Sequence, residues 1–288
     1  MRIKPNMKRI ITIVLALATG LSALGQGTVT TKKYRLSDFS DKTTKVVLSG
    51  DGLLDGALRQ EILNYWTLSA FEFCSVDEFE ALKTQDLYYF LVAAESRFKG
   101  EETPGILFLT LVKGDPAAGE GMAAMPEVIS LPVTSAQGSS GRDLVYLGAL
   151  VQAVQDFTVA AMESEKVAYS GSDWFNGRYS REGKMQQIYM AREDISEVVS
   201  EDQMAKYQDE DFHVVDADEA DAMYQSGAYN TLVSYVVAPF MPGKGSYSYQ
   251  LLFQAGTHAL FYIHRHRIKD KTPEGFLPED LKHLAQKR

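Results

Sequence analysis

A single offset organises this chain. The stretch FEFCSVDEFEAL, residues 71–82, reappears 141 residues later as FHVVDADEADAM, and the register holds well past the acidic cluster. Phe71, Asp77, Glu78, Ala81, Tyr88, Leu91 and Val92 meet Phe212, Asp218, Glu219, Ala222, Tyr229, Leu232 and Val233. These are seven identities in 23 aligned positions, where unrelated sequence gives about one or two. A chain built in this way has one folding problem to solve twice.

Hydrophobic periodicity says what that problem is. In the first half, alternating or continuous apolar runs predict strands at 45–49, 71–74, 87–94, 106–113 and 127–133. Helical spacing predicts helices at 53–66, 76–83 and 142–163. The second half repeats the order with strands at 186–191, 213–215, 231–237, 247–254 and 258–267, and helices at 201–207, 217–225 and 279–286. The expected fold is α/β with mixed sheets, in two homologous modules of about 100–120 residues each. Each reads strand-helix-strand-helix-strand-strand-strand-helix. The modules are expected at 45–169 and 184–288, after an N-terminal extension at 26–44. SGSDWFNGRYSREG, 170–183, has the glycine and serine content of a linker between them.

The repeated acidic pair is explained by local structure. Ser75 precedes the short helix and Glu78 follows three residues later, which is the spacing of a capping box; Asp216 and Glu219 hold the same places in the second copy. Cys74, the chain's single cysteine, aligns with Val215. With no histidine in its half of the chain to activate it, it reads as a buried structural thiol. No intramolecular disulfide can form, so stability must come from packing.

The N-terminus carries an address. Arg2, Lys4, Lys8 and Arg9 precede an uncharged apolar run, and Ala23-Leu24-Gly25 supplies small residues where a signal peptidase reads. Residues 1–25 therefore predict a cleaved secretory signal and a secreted or periplasmic protein. The apolar run, about 15 residues, is shorter than the ~20 that cross a bilayer. Cleavage would remove four positive charges and take the net charge from −9 to −13. Such a chain repels nucleic acid, and no membrane span is expected after signal removal. An unknown protein or glycan of the envelope remains as the expected partner.

Few residues invite chemistry. His258, His264 and His266 share a parity on the last strand, so His264 and His266 would project from one face as metal ligands do, but nothing in the sequence nominates a third ligand from another element. The competing reading of HRHRIKDK is a charged edge that discourages pairing with another chain. Trp174, Phe175 and Tyr179 lie in the linker, where they either clamp it onto the cleft between modules or offer a platform to a ligand. DADEAD hints at calcium, but Asp221 stands where an EF-hand loop needs glycine and Gly227 where it needs glutamate. GEGMAAM and GSSGRD lack the lysine of a phosphate loop. No catalytic residue and no cofactor is expected.

The ALGQ ending of the signal and the WTLSAFEFCSVDEFEALK block resemble secreted proteins of Bacteroidetes-type bacteria. The order of elements also resembles, in topology, the N-terminal domain of the TolB family and CsgG-like assembly factors. Those resemblances imply envelope modules and bring no catalytic motif. The expected function is a non-enzymatic binding or structural role in the cell envelope. The alternative is a hydrolase or metal-dependent enzyme with its site between the modules, built in part from the three histidines.

Overall fold

A computed structural model describes residues 36–285. The expected signal at 1–25, and the first part of the expected extension, lie outside the described residues. The rest of that extension is already core, because Leu36 and Phe39 are buried and Asp38 accepts hydrogen bonds from Tyr89 and Lys113.

The first half runs β1 (Thr43–Leu48), α1 (Gly52–Tyr65), β2 (Phe71–Ser75), α2 (Val76–Leu82), β3 (Tyr88–Ser96), β4 (Ile106–Lys113), β5 (Glu127–Ser135) and α3 (Arg142–Glu163). Two helices follow, α4 (Glu165–Ala168) and α5 (Asp173–Arg181). The second half runs β6 (Gln187–Ala191), α6 (Glu201–Tyr207), β7 (Phe212–Val215), α7 (Ala217–Gln225), β8 (Thr231–Val237), β9 (Tyr247–Gln254), β10 (Leu260–Arg267) and α8 (Pro278–Leu284).

The two five-stranded sheets have the same order, β2-β1-β3-β4-β5 and β7-β6-β8-β9-β10. In each, the first three strands are parallel and the last two join antiparallel. The central pairings correspond, with Leu91 opposite Val46 and Leu232 opposite Ile188. The outer pairing slips by two residues: Val46 faces Phe73, whereas Ile188 faces Phe212, the counterpart of Phe71. This shared order is what an internal duplication leaves behind.

Crossover handedness distributes the helices. β1 and β2 are neighbours, whereas the β2-to-β3 connection steps back over β1, so two right-handed crossovers put α1 and α2 on opposite faces. The packing agrees, since Val46, Leu58 and Ile62 share one cluster while Val47, Cys74 and Phe79 share another. Cys74 is buried, and burial pushes its thiol up to about 11, which disfavours the thiolate at neutral pH.

The halves share a core. One cluster runs from Phe39 and Ile62 through Tyr146, Leu150 and Phe157 of α3 to Tyr235 and Phe253 of the second sheet. The ring of Tyr146 stacks on Tyr235 at 4.6 Å and on Phe253 at 5.6 Å. Among the described residues α3 alone is long and apolar enough to cross a membrane, and 67% of that stretch is buried inside the protein, as in a core helix.

At the start of α3, Arg142 reaches across the junction. Its guanidinium pairs with Asp194 at 2.8 Å and Asp221 at 3.0 Å. Ser234 donates to Asp194 at 2.6 Å and Tyr146 to Asp221 at 2.8 Å. Burial raises the Asp194 pKa and Arg142 opposes that rise. A cation at a helix N-terminus opposes the helix dipole, so this arginine is placed for the partners it meets in the second half.

The segment expected as a linker is a helix packed on β10. Asn176 of α5 donates to the carbonyl of Ile263 at 3.0 Å and accepts from its N–H at 2.9 Å, covering part of the β10 edge as a neighbouring strand would.

Candidate metal centre

The site begins with strand alternation. Tyr262, His264 and His266 project from one face of β10, while Arg265 and Arg267 project from the other, where both guanidinium groups cover the ring of Tyr247. The period of two thus separates imidazoles from arginines within four consecutive residues. α8 crosses the imidazole face and contributes Asp280, which is almost fully buried.

Asp280 is held from several sides. Its Oδ2 accepts from the Leu277 N–H at 2.9 Å, and its Oδ1 accepts from the Tyr262 hydroxyl at 3.0 Å. His264 Nδ1 lies 2.8 Å from the same Oδ1. Burial alone would raise the Asp280 pKa, but the hydrogen bonds from His264, Leu277 and Tyr262 and the attraction of His264 take it below the ordinary carboxylate value. The hydrogen bond to Asp280 raises the His264 pKa against the opposing effect of burial.

His266 completes a group of three residues that could hold a metal ion. Its Nε2 lies 2.6 Å from the carbonyl of Pro273. A carbonyl only accepts, so Nε2 carries the proton and, in the neutral ring, Nδ1 is a bare lone pair. That Nδ1 is buried and has no hydrogen-bond partner. One ligand atom from each of His264, His266 and Asp280 lies within 4.8 Å of the others. Ligands of a tetrahedral zinc ion, with bonds of about 2.0–2.2 Å, sit roughly 3–3.5 Å apart. His264 is half-exposed, so of the three it has the most open surroundings.

β9 lies beside these residues. Gln250 pairs with His264 and Ser248 with His266. Gln250 is fully buried and donates to Ser248, while its Oε1 has no partner. Two orphaned acceptors thus lie on neighbouring strands, that of His266 within the group that includes the buried Asp280, and each is costly to leave without a partner.

Of the three histidines, the structure brings together only His264 and His266. His258 occupies the β9–β10 turn with φ of 58°, and its ring lies between the hydroxyls of Tyr65 and Tyr224 at the junction of the halves. Burial lowers its pKa. The cluster belongs to the second half and does not lie between the modules. Asp280 is the candidate ligand that the sequence expectation does not include. The signal for it was LPED, where an acid in the first turn of a helix after proline both caps the helix and faces the strand beneath.

Trp174, Phe175 and Tyr179 pack into the fold. Phe175 and Tyr179 are fully buried, and Trp174 packs edge-on to Phe157 at 6.0 Å under the guanidinium of Arg178. The Tyr179 hydroxyl donates to the carbonyl of Leu284 at 2.7 Å, anchoring the end of α8. These aromatics therefore help to position the helix that carries Asp280.

Comparison with family models, with curated proteins and with solved structures yields no match for this chain.

Proposed function

We propose that the chain binds a borderline divalent cation, zinc foremost, through His264, His266 and Asp280, and that it acts as a metal-dependent hydrolase. The observation that carries this reading is the buried, unpartnered Nδ1 of His266, whose tautomer is set by Pro273 in the way a ligating imidazole is set. Two imidazoles and one carboxylate leave a tetrahedral ion one position for water or substrate. When bound, such an ion lowers the pKa of a coordinated water and polarises a substrate oxygen. The chain's own part is to hold Asp280 ionised through Leu277 and Tyr262, to orient His266 through Pro273, and to keep the His264 side open to solvent.

Two further statements belong to the same proposal. The halves are homologous modules, supported by the matching strand order and by the Leu91 and Leu232 pairings. The protein is exported, supported by the basic head and apolar run of residues 1–25; N-terminal sequencing of the mature protein tests this.

The metal reading has a pH signature. Without metal, the raised His264 pKa gives stability that is full below the ordinary histidine value of 6.5 and is lost as pH rises through the raised one. The lowered Asp280 pKa gives stability that is present above 3.8 and is lost as pH falls through the lowered one. Zinc must displace the His264 proton, so its affinity rises with pH. Added zinc is expected to raise the melting temperature at pH 8 and much less at pH 5.5. His266→Ala and Asp280→Asn are expected to weaken binding by at least about tenfold in calorimetry. Equal shifts at both pH values, or an unchanged affinity in His266→Ala, would sink the metal site. Zinc binding without turnover of ester and phosphoester probes would retain the site and discard the hydrolase.

A further inference from the structure

A second site lies in the other half. At the carboxyl ends of β1 and β3, where the strand order reverses direction, a cavity of about 530 Å³ opens between α1, α2 and the loop leading into α3. Crevices at this position in α/β sheets are where ligands bind, and the volume falls in the range of small-molecule sites. Val47, Phe79, Val92 and Leu144 give it an apolar wall.

Its polar groups select the ligand. In such crevices, backbone N–H groups at helix starts usually take a phosphate. Here the chain's own carboxylates occupy them. Asp51 accepts from the N–H groups of Leu53 and Leu54 at 3.0 and 3.2 Å. Asp55 accepts from those of Ser49 and Gly50 at 2.9 and 2.8 Å, and Asp143 from that of Gly141 at 3.0 Å. Among the described residues no lysine, arginine or histidine lines the cavity. Glu95, on the central strand β3, lines it half-buried and makes no hydrogen bond or ion pair among the described residues. The charged side chains that line it are all carboxylates, beside the hydroxyls of Ser49, Thr134, Ser135 and Ser139, so an anion finds no cationic partner whereas a cation meets a carboxylate that is unpartnered.

We propose that this crevice binds a small apolar molecule bearing one ammonium group, with the body against Val47, Phe79 and Val92 and the charge on Glu95. The second half shows how the same place is closed. Ala93 and Ala94 line the cavity, and their counterparts are Ser234 and Tyr235, against which the Arg142 guanidinium packs.

The test is calorimetry on the full chain, with a chelator present to silence the metal site, using 2-phenylethylamine, 2-phenylethanol and 3-phenylpropionate. The amine is expected to bind at least about tenfold more tightly than the alcohol, and the carboxylate not at all. Glu95→Gln is expected to bring amine and alcohol to within about twofold of each other. Ala94→Tyr, which installs the side chain of the second half, is expected to abolish binding of both. Equal binding of amine and carboxylate, no amine binding at millimolar concentration, or an amine preference that survives Glu95→Gln would overturn the proposal. Should Ala94→Tyr fail to fold by circular dichroism, the Glu95→Gln comparison decides alone.

Discussion

At the carboxyl end of β3 the first half places Ala93 and Ala94, and at the matching end of β8 the second half places Ser234 and Tyr235. The first pair leaves a cavity; the second pair, with Arg142, closes one and joins the halves. Tyr235 donates from its hydroxyl to the carbonyl of Val133 at 2.6 Å, so the side chain that fills the crevice also binds the first sheet. Two copies of one topology therefore meet different demands through a few side chains at one position, while the strand order stays the same. The buried acids differ in the same way. Asp194 in the second half has Arg142 and Ser234, whereas Glu127 at the start of β5 is buried with one oxygen unpartnered, and burial pushes its carboxyl up to about 7 despite a hydrogen bond with Ser130.

The sharpest way to break this comparison is to remove the arginine. Arg142→Ala leaves Asp194 buried and uncompensated, and is expected to cost about 3–5 kcal/mol in denaturant unfolding. Adding Asp194→Asn should return part of that loss. A cost for Arg142→Ala below about 1 kcal/mol would mean that the junction is held by apolar packing alone.

Glu127 tests the opposite case. Its folded pKa lies above the ordinary 4.5, so the folded state is penalised as pH rises from about 4.5 to about 7, and the penalty is constant above that. Glu127→Gln is expected to stabilise the protein at pH 8 by on the order of 3 kcal/mol and to have little effect at pH 4. Destabilisation at pH 8 would show that the carboxylate has a partner that the glutamine cannot replace.

The helix caps give a smaller contrast. At α2 the box is complete, with the Ser75 N–H donating to Glu78 at 2.8 Å and the Glu78 N–H donating to Ser75 Oγ at 3.2 Å. At α7 the Glu219 N–H donates to Asp216 at 2.8 Å, and that helix start carries no return bond from the Glu219 side chain. Two adjacent carboxylates repel, which accounts for the missing half. Ser75→Ala and Asp216→Ala should each cost about 1 kcal/mol. Glu78→Ala should lower the melting temperature and Glu219→Ala leave it unchanged; equal effects would make the two caps equivalent.

The smallest effect is expected at Cys74. Cys74→Val, which adopts the second half's Val215, should change stability by less than about 1.5 kcal/mol. In the wild type, a thiol reagent should label Cys74 only as fast as the protein opens. Fast native labelling would contradict its burial.

Most of the architecture was legible because its signals are local. Strand alternation, helical spacing and the Ser75 cap act over a few residues, and they placed every strand of both sheets within a few positions. The helix at Asp173–Arg181 was missed because its glycine and serine content suits a linker; it is helical because Phe175 and Tyr179 bury against α3 and β10. Of the candidate site, the His264 and His266 pair was legible from parity. His258 stands apart from them because the β9–β10 turn, at its φ of 58°, directs the ring toward Tyr65 and Tyr224.

By itself, then, the sequence determined the order of elements, the duplication pattern, the inert cysteine and the two-residue imidazole pair, since each depends on neighbours along the chain. Tertiary structure decided the rest. Asp280 meets His264 only because α8 folds back across β10, and Arg142 meets Asp194 and Asp221 only because α3 lies between the sheets. The crevice beside Glu95 is lined by the small side chains of Ala93 and Ala94, where the second half has Ser234 and Tyr235. Those contacts join residues far apart in the chain, and no periodicity encodes which distant side chain a buried charge or a bare lone pair will meet.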